Sequence, residues 1–233
     1  MRKLLVSDYD GTFFVNDEDL IRNIKAVDEF RKKGNLFAFA TGNNYHVFSK
    51  VVKFEHVGYD YLILDHGSLI IDRDRNVISC QCIKNDIVGS IVEELNKQGF
   101  KSKLCNLWDD DIRGNAEVTK ISAWIKDLKT AKKVTQYIQN KFGSEVNAYT
   151  MIFDDINIIE IVSGEIDKKK AIKILASKIS VSHDNIYTVG NGYNDIEMIK
   201  EYNGYCMYNS VEELLSVCYN RINSVSELIE ELE

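Results

Sequence analysis

The sequence predicts a doubly wound α/β core with a mainly parallel sheet, interrupted by an inserted α+β domain. Three observations carry this. Strand-like apolar runs alternate with amphipathic helical spacing through the first 80 residues, the rhythm switches near residue 85 to helix, strand, strand repeated twice, and the strand–helix rhythm returns after Gly164.

Residues 4–6 form the first apolar run, and Leu20, Ile24, Val27 and Phe30 then recur at helical spacing. A strand over 36–40, a second helix near 45–52 and a strand over 61–64 complete a βαβαβ pattern, which places ligands at the carboxyl ends of parallel strands. The middle block reads as a helix over 87–98, strands over 101–107 and 118–125, a helix over 130–142, and strands over 146–152 and 156–162. Strands that follow one another without a helix between them cannot be parallel crossover units, so this αββαββ block is expected to be a separate antiparallel sheet with helices on one face. Ala171, Ile172, Leu175, Ala176 and Ile179 then mark a helix, followed by a strand over 186–189, a helix over 196–202, a short strand over 204–207 and two terminal helices. The expected division is a discontinuous core, 1–83 and 164–233, around an insert at 84–163.

Composition narrows the function classes. The chain has 233 residues, 45% hydrophobic and 28% charged, as in an ordinary globular protein able to bury a core. A formal net charge of −7 gives no global attraction to nucleic acid or anionic lipid, so neither is expected as a partner. The opening residues are basic but lack a secretory apolar stretch, and no apolar run approaches the roughly 20 residues needed to span a bilayer. A cytoplasmic protein is expected. Five cysteines without a CxxC fit reduced thiols better than a disulfide framework. Cys80 and Cys82, two apart on a strand, would share a face, but with no second pair nearby a zinc site is not expected.

The chemistry sits in four loops on one predicted rim. Asp8-Tyr9-Asp10-Gly11-Thr12 directly follows the first strand, and two acids crowded there need a shared proton or a cation; a hard ion such as magnesium suits oxygen ligands. Thr41-Gly42-Asn43-Asn44 ends the second strand and offers a hydroxyl and backbone amides to phosphate oxygens, although a helix cap would look the same. Lys168 heads the helix after the insert and could neutralise a phosphate, although the Lys168-Lys169-Lys170 run alone reads equally as a solvated face. Gly190-Asn191-Gly192-Tyr193-Asn194-Asp195 adds a loop with oxygen ligands for a cation. Acid pair, hydroxyl, lysine and acid or amide, in that order, supply the nucleophile, oxygen cradle, charge clamp and metal site of phosphoryl transfer through an aspartate.

That order, DxDGT, Thr-Gly, Lys and GxGxND, resembles the four motifs of the haloacid dehalogenase superfamily, and the αββαββ insert between the second and third motifs is similar to its Cof-type, or IIB, branch. The resemblance spans nearly the whole chain. It implies a Rossmann-like core with an inserted cap of the C2B type that chooses the substrate, and a magnesium-dependent phosphatase acting on a small phosphate ester such as a sugar phosphate. By the same resemblance Asp8 would be the nucleophile and Asp10 the general acid and base. Thr41, Gly42, Lys168 and Asn194 would bind phosphate, and Asp8, Asp10, Asn191 and Asp195 would hold Mg2+.

Two departures stand out. Asn191 occupies the position of the first aspartate of the usual GDxxND, where the principal metal ligand is expected. One negative charge about 4 Å from the metal is lost, a gross loss of roughly 4 kcal/mol at an effective dielectric of 20 before the saved desolvation is counted. Asp65-His66-Gly67 stands where relatives commonly have Asn-Gly, and Asn43 where they often have arginine. A phosphomutase of the same fold and a catalytically weak phosphate-binding protein are the competing readings. Substrate choice is expected in the insert, where Trp108, Asp109, Asp110, Asp111, Arg113 and the turn Phe153-Asp154-Asp155 are candidates; acids there hint at a polyol or sugar phosphate.

Overall fold

Five consecutive parallel pairings build the main sheet, and the strand that carries the first acidic loop lies inside it. The computed structural model describes residues 2–51, 57–109, 111–112 and 117–232. In chain order the first elements are β1 (Leu4–Ser7), α1 (Asp17–Lys32), β2 (Leu36–Ala40), α2 (Tyr45–Val51), β3 (Tyr61–Leu64), β4 (Leu69–Asp72) and β5 (Val77–Cys80). The middle block is α3 (Asn85–Lys97), β6 (Ser102–Cys105), β7 (Lys120–Ile125), α4 (Leu128–Phe142), β8 (Val146–Ile152) and β9 (Asn157–Ser163). The last stretch holds α5 (Lys168–Ile179), β10 (Ile186–Gly190), α6 (Ile196–Glu201), β11 (Asn203–Met207), α7 (Glu212–Leu215), β12 (Arg221–Ile222) and α8 (Val225–Leu232).

The chain divides into two compact units: Met1–Gly42, Val52–Ser79 and Lys168–Glu233 make the first, Asn43–Val51 and Cys80–Asp167 the second. In the first, the sheet order is β12-β11-β10-β1-β2-β3-β4-β5. Leu4 of β1 lies beside Ile186 on one side and Leu36 on the other. Every residue of β1 and β2 is buried, as expected for parallel strands covered on both faces. Below the acidic loop the Phe13 and Phe37 rings both meet Phe39 edge-on, with centroids 4.8 and 4.9 Å away. Such contacts add specific geometry to burial and fix the floor under the loop. α1 starts at Asn16, whose side chain accepts the Asp19 amide, with acids in its first turn and Arg31 and Lys32 in its last, so both ends suit the helix dipole.

The second unit has its own sheet, β6-β7-β9-β8, antiparallel throughout. Ile121 of β7 and Ile159 and Ile161 of β9 join Val88, Ile91 and Leu95 of α3 in its apolar core. Lys120 and Glu160 of the same strands pair at 2.8 Å, nearly buried, so the charge of each is met by the other.

The α/β class with a mainly parallel sheet is as expected, but the details differ in three places. β4 and β5 were not anticipated; β4 runs antiparallel to β3 and extends the main sheet. β12, only two residues long, lies between the two terminal helices. The second unit also spans Cys80–Asp167 rather than 84–163 and takes in α2, whose Tyr45 ring meets Trp108 edge-on at 5.5 Å. The candidate residues Asp110 and Arg113 lie outside the described residues.

Candidate active site

Asp8, Thr41, Lys168 and Asp195 all belong to the first unit. Asp8 follows the last residue of β1, its amide bonded to the Val189 carbonyl of β10, and is only 7% exposed. Asp10, two residues on, is exposed. The chain reverses at once: the Phe14 amide returns to the Tyr9 carbonyl and the Gly11 amide to that of Phe14. Gly11 has φ +76°, and a β-carbon there would stand 2.3 Å from Asn191 Nδ2, so both backbone and space demand glycine.

Lys168, at the head of α5 and 1% exposed, is the hub. Its Nζ donates to Asp8 Oδ1 and to Asp195 Oδ1, each at 2.7 Å. Burial works against the charged lysine, but Asp195 and Asp8 outweigh it and raise its pKa. Asp8 shows the reverse balance. Burial pushes its carboxyl up to about 7; Lys168 pulls it back, and Asp195 and Asp10 push it further. One ammonium is shared by the two carboxylates in contact with it, Asp8 and Asp195, and Asp10 adds weaker repulsion from two residues away.

Asp195 reaches this position because its loop folds back on it. Its Oδ2 accepts the Asn191 and Gly192 amides at 3.0 and 2.9 Å, and a β-carbon at Gly190 would stand 2.4 Å from its carboxyl carbon. The Asn191 side chain turns toward the first loop, where Thr12 Oγ1 donates to its Oδ1 at 3.1 Å. A third contact ties in the turn after β3. Asn194 Nδ2 lies 3.1 Å from His66 Nδ1, and the His66 amide donates to the Thr41 carbonyl. Asp65 and His66 are fully buried with φ of +48° and +55°, conformations that non-glycine residues rarely adopt and that tend to gather at functional sites.

The residues present fit a hard divalent cation. Asp8 and Asp10 bring two carboxylates to the first loop, and the Asn191 side chain packs against that loop with its amide oxygen bonded to Thr12, so the donors at hand are oxygens. Oxygen donors suit a hard rather than a soft cation, and among the described residues no group of three or more His, Cys, Asp or Glu is disposed to hold a metal of either kind.

Of the residues singled out in the sequence, Asp8, Lys168 and Asp195 are in direct contact, Asn191 packs on the first loop, and Thr41 and Asn194 are linked through His66. Gly42 is the last residue of its segment of the first unit, and Asn43 the first of the second. Sequence reasoning placed Thr12 in the first motif and His66 in a departure from the family pattern, but gave neither a partner. The available signal was position, since each stands in a loop directly after a strand of the same rim.

A family model described as haloacid dehalogenase-like hydrolase matches residues 5–111 and 95–227. Among relatives, 5-amino-6-(5-phospho-D-ribitylamino)uracil phosphatase of Bacillus subtilis is 25% identical over 85% of this chain and 80% of its own. Among solved structures, a HAD/COF-like hydrolase from Plasmodium vivax superposes with a TM-score of 0.84 at 18% identity, covering 99% of this chain and 95% of that one. A HAD subclass IIB sugar phosphatase, BT4131, superposes with a TM-score of 0.80 at 16% identity, covering 99% and 98%. With the family model covering most of its length and its fold shared with Cof-type members, the chain belongs to the haloacid dehalogenase-like hydrolase family.

Proposed function

We propose that this protein is a magnesium-dependent phosphatase that hydrolyses a small phosphomonoester through a phosphorylated Asp8. The observation that carries the reading is the buried Lys168 held between Asp8 and Asp195, with exposed Asp10 two residues from Asp8. Such a lysine offsets the repulsion between an anionic nucleophile and an anionic phosphate. The activity named for the Bacillus relative supports the same class of reaction.

In this reading an Asp8 carboxylate oxygen forms a bond to phosphorus as the ester P–O bond breaks, and Asp10 gives a proton to the departing oxygen. Asp10 then takes a proton from water, whose oxygen attacks the same phosphorus and releases phosphate and the Asp8 carboxylate. Thr41, Gly42 and Asn194 cradle the phosphate oxygens, and Lys168 stays protonated throughout. Magnesium, held by Asp8, Asp10 and Asn191, would supply charge stabilisation for the transferring group. Asp195 acts on Lys168 and on the backbone of its own loop, both of its oxygens being engaged there, and its part in metal binding is through that loop.

We assign substrate choice to the second unit, where Trp108 and Phe153 are large exposed aromatics and Asp154 and Asp155 are exposed acids beside the latter. A polyol or sugar phosphate matches that pairing of ring surface and hydroxyl acceptors.

The test is hydrolysis of para-nitrophenyl phosphate across a magnesium titration, with Asp8→Asn as control. Magnesium-dependent turnover lost in Asp8→Asn supports the reading. No turnover at high magnesium in folded protein would overturn it in favour of a mutase or a binding protein.

A further inference from the structure

Cys80 closes β5 and opens the second unit's Cys80–Asp167 segment, and Cys82 follows two residues later. Side chains two apart on an extended segment point the same way, and here the two Sγ atoms lie 3.7 Å apart. Cys80 is exposed and Cys82 partly so, whereas Cys105, Cys206 and Cys218 are buried. The reaction assigned to Asp8 uses neither thiol of the pair.

We propose that Cys80 and Cys82 form a reversible dithiol–disulfide couple, oxidised by a low-molecular-weight disulfide such as glutathione disulfide. The sulfurs are already in van der Waals contact and must close to about 2.05 Å, which needs the chain at Gln81, past the end of β5, to turn as well as the side chains to rotate. The Cys80 hydrogen bond draws the Cys82 thiol below its usual range, with partial burial and Glu117 opposing, and the thiolate is the attacking form. Cys82 as thiolate bonds to one sulfur of glutathione disulfide and expels a glutathione thiolate. Cys80, losing its proton, then bonds to the Cys82 sulfur and expels the second. Two protein thiols and one glutathione disulfide become one protein disulfide and two glutathiones.

The remaining cysteines are internal controls. Cys218, next to Cys206, is pushed up to about 12 by burial, and a thiol so far from ionisation reacts slowly.

Full-length protein equilibrated near neutral pH in glutathione buffers of increasing oxidising ratio, then acid-quenched, unfolded and alkylated, would be read by intact and peptide mass. The expected result is a plateau at which the chain has lost two hydrogens, Cys105, Cys206 and Cys218 are alkylated, and the peptide holding Cys80 and Cys82 is not. Cys80→Ser and Cys82→Ser should each gain one glutathione instead. The proposal is overturned if all five cysteines stay alkylatable until the buried three begin to react, or if the wild-type chain stops at a mixed disulfide as the variants do. Neither outcome depends on phosphatase activity.

Discussion

Asp195 holds Lys168 with one carboxylate oxygen and its own loop with the other: Oδ1 accepts Nζ at 2.7 Å, and Oδ2 accepts the Asn191 and Gly192 amides at 3.0 and 2.9 Å. One buried side chain thus joins the head of α5 to the loop after β10. Removing a partner from a buried ion pair leaves the other charge poorly compensated, which costs about 3–5 kcal/mol. Asp195→Ala should lose stability in that range, because two amides also lose their acceptor. Asp195→Asn keeps an oxygen for the loop and should lose less. Urea unfolding of the three proteins checks this, and a loss below about 1 kcal/mol for Asp195→Ala would contradict the linkage, being no more than an ordinary single hydrogen bond.

Asn191→Asp should have opposite effects with and without metal. A fourth carboxylate beside Asp8, Asp10 and Asp195 adds repulsion that Lys168 cannot absorb, so the metal-free variant should melt at a lower temperature than wild type. Magnesium should more than restore it, since the added charge strengthens binding by at least about tenfold, or roughly 1.4 kcal/mol. Calorimetric titration with magnesium and thermal melts at matched metal concentration test this without substrate. Equal magnesium affinity in both proteins would remove Asn191 from the proposed metal site.

The core was legible because its signals are local and repeated. Buried parallel strands read as continuous apolar runs, and loops that end such strands fall on one rim, so Asp8 and Asp195 could be grouped before any distance was known, with Lys168 added only by the order of the motifs. The β4–β5 hairpin was missed because Asp72-Arg73-Asp74-Arg75-Asn76 reads as charged surface. In the structure the Asp72 side chain accepts the amides of Asp74 and Asn76 and Arg75 takes a left-handed φ of +67°, so those polar residues form a turn between two apolar runs. The His66–Asn194 contact joins residues 128 apart, which no local pattern encodes. The two faces of Asp195 were equally hidden, since sequence presents it only as one more oxygen ligand.

Gly11 and Asn191 should be energetically coupled. Gly11→Ala forces an alanine into φ +76° and a β-carbon to within 2.3 Å of Asn191 Nδ2. The left-handed backbone alone costs about 1–2 kcal/mol. Displacing the Asn191 amide adds loss of its bond from Thr12. Asn191→Ala makes room, so in a double-mutant cycle Gly11→Ala should be milder in that background, with a coupling of about 0.5–3 kcal/mol. Strict additivity would show that the clash relaxes by another route.

The second unit carries its own acid-sensitive contact. Glu94 of α3 accepts from Lys141 at 2.8 Å, Tyr137 at 2.6 Å and Lys97 at 3.2 Å, and these bonds, that of Lys141 first, hold its carboxyl down to about 2 from an ordinary 4.5. A depressed folded value means that the unfolded chain takes up the proton first as pH falls. The stabilisation is therefore complete above about 4.5 and disappears as pH drops toward 2. Glu94→Gln keeps an acceptor for Tyr137 but cannot titrate, so its melting temperature should fall less steeply than that of the wild type across this window. Thermal melts monitored through Trp108 and Trp124, both in the second unit, measure the two slopes. Parallel slopes would mean that solvent screens the Lys141 and Lys97 pairs, and that the Glu94 carboxyl stays near its unfolded value.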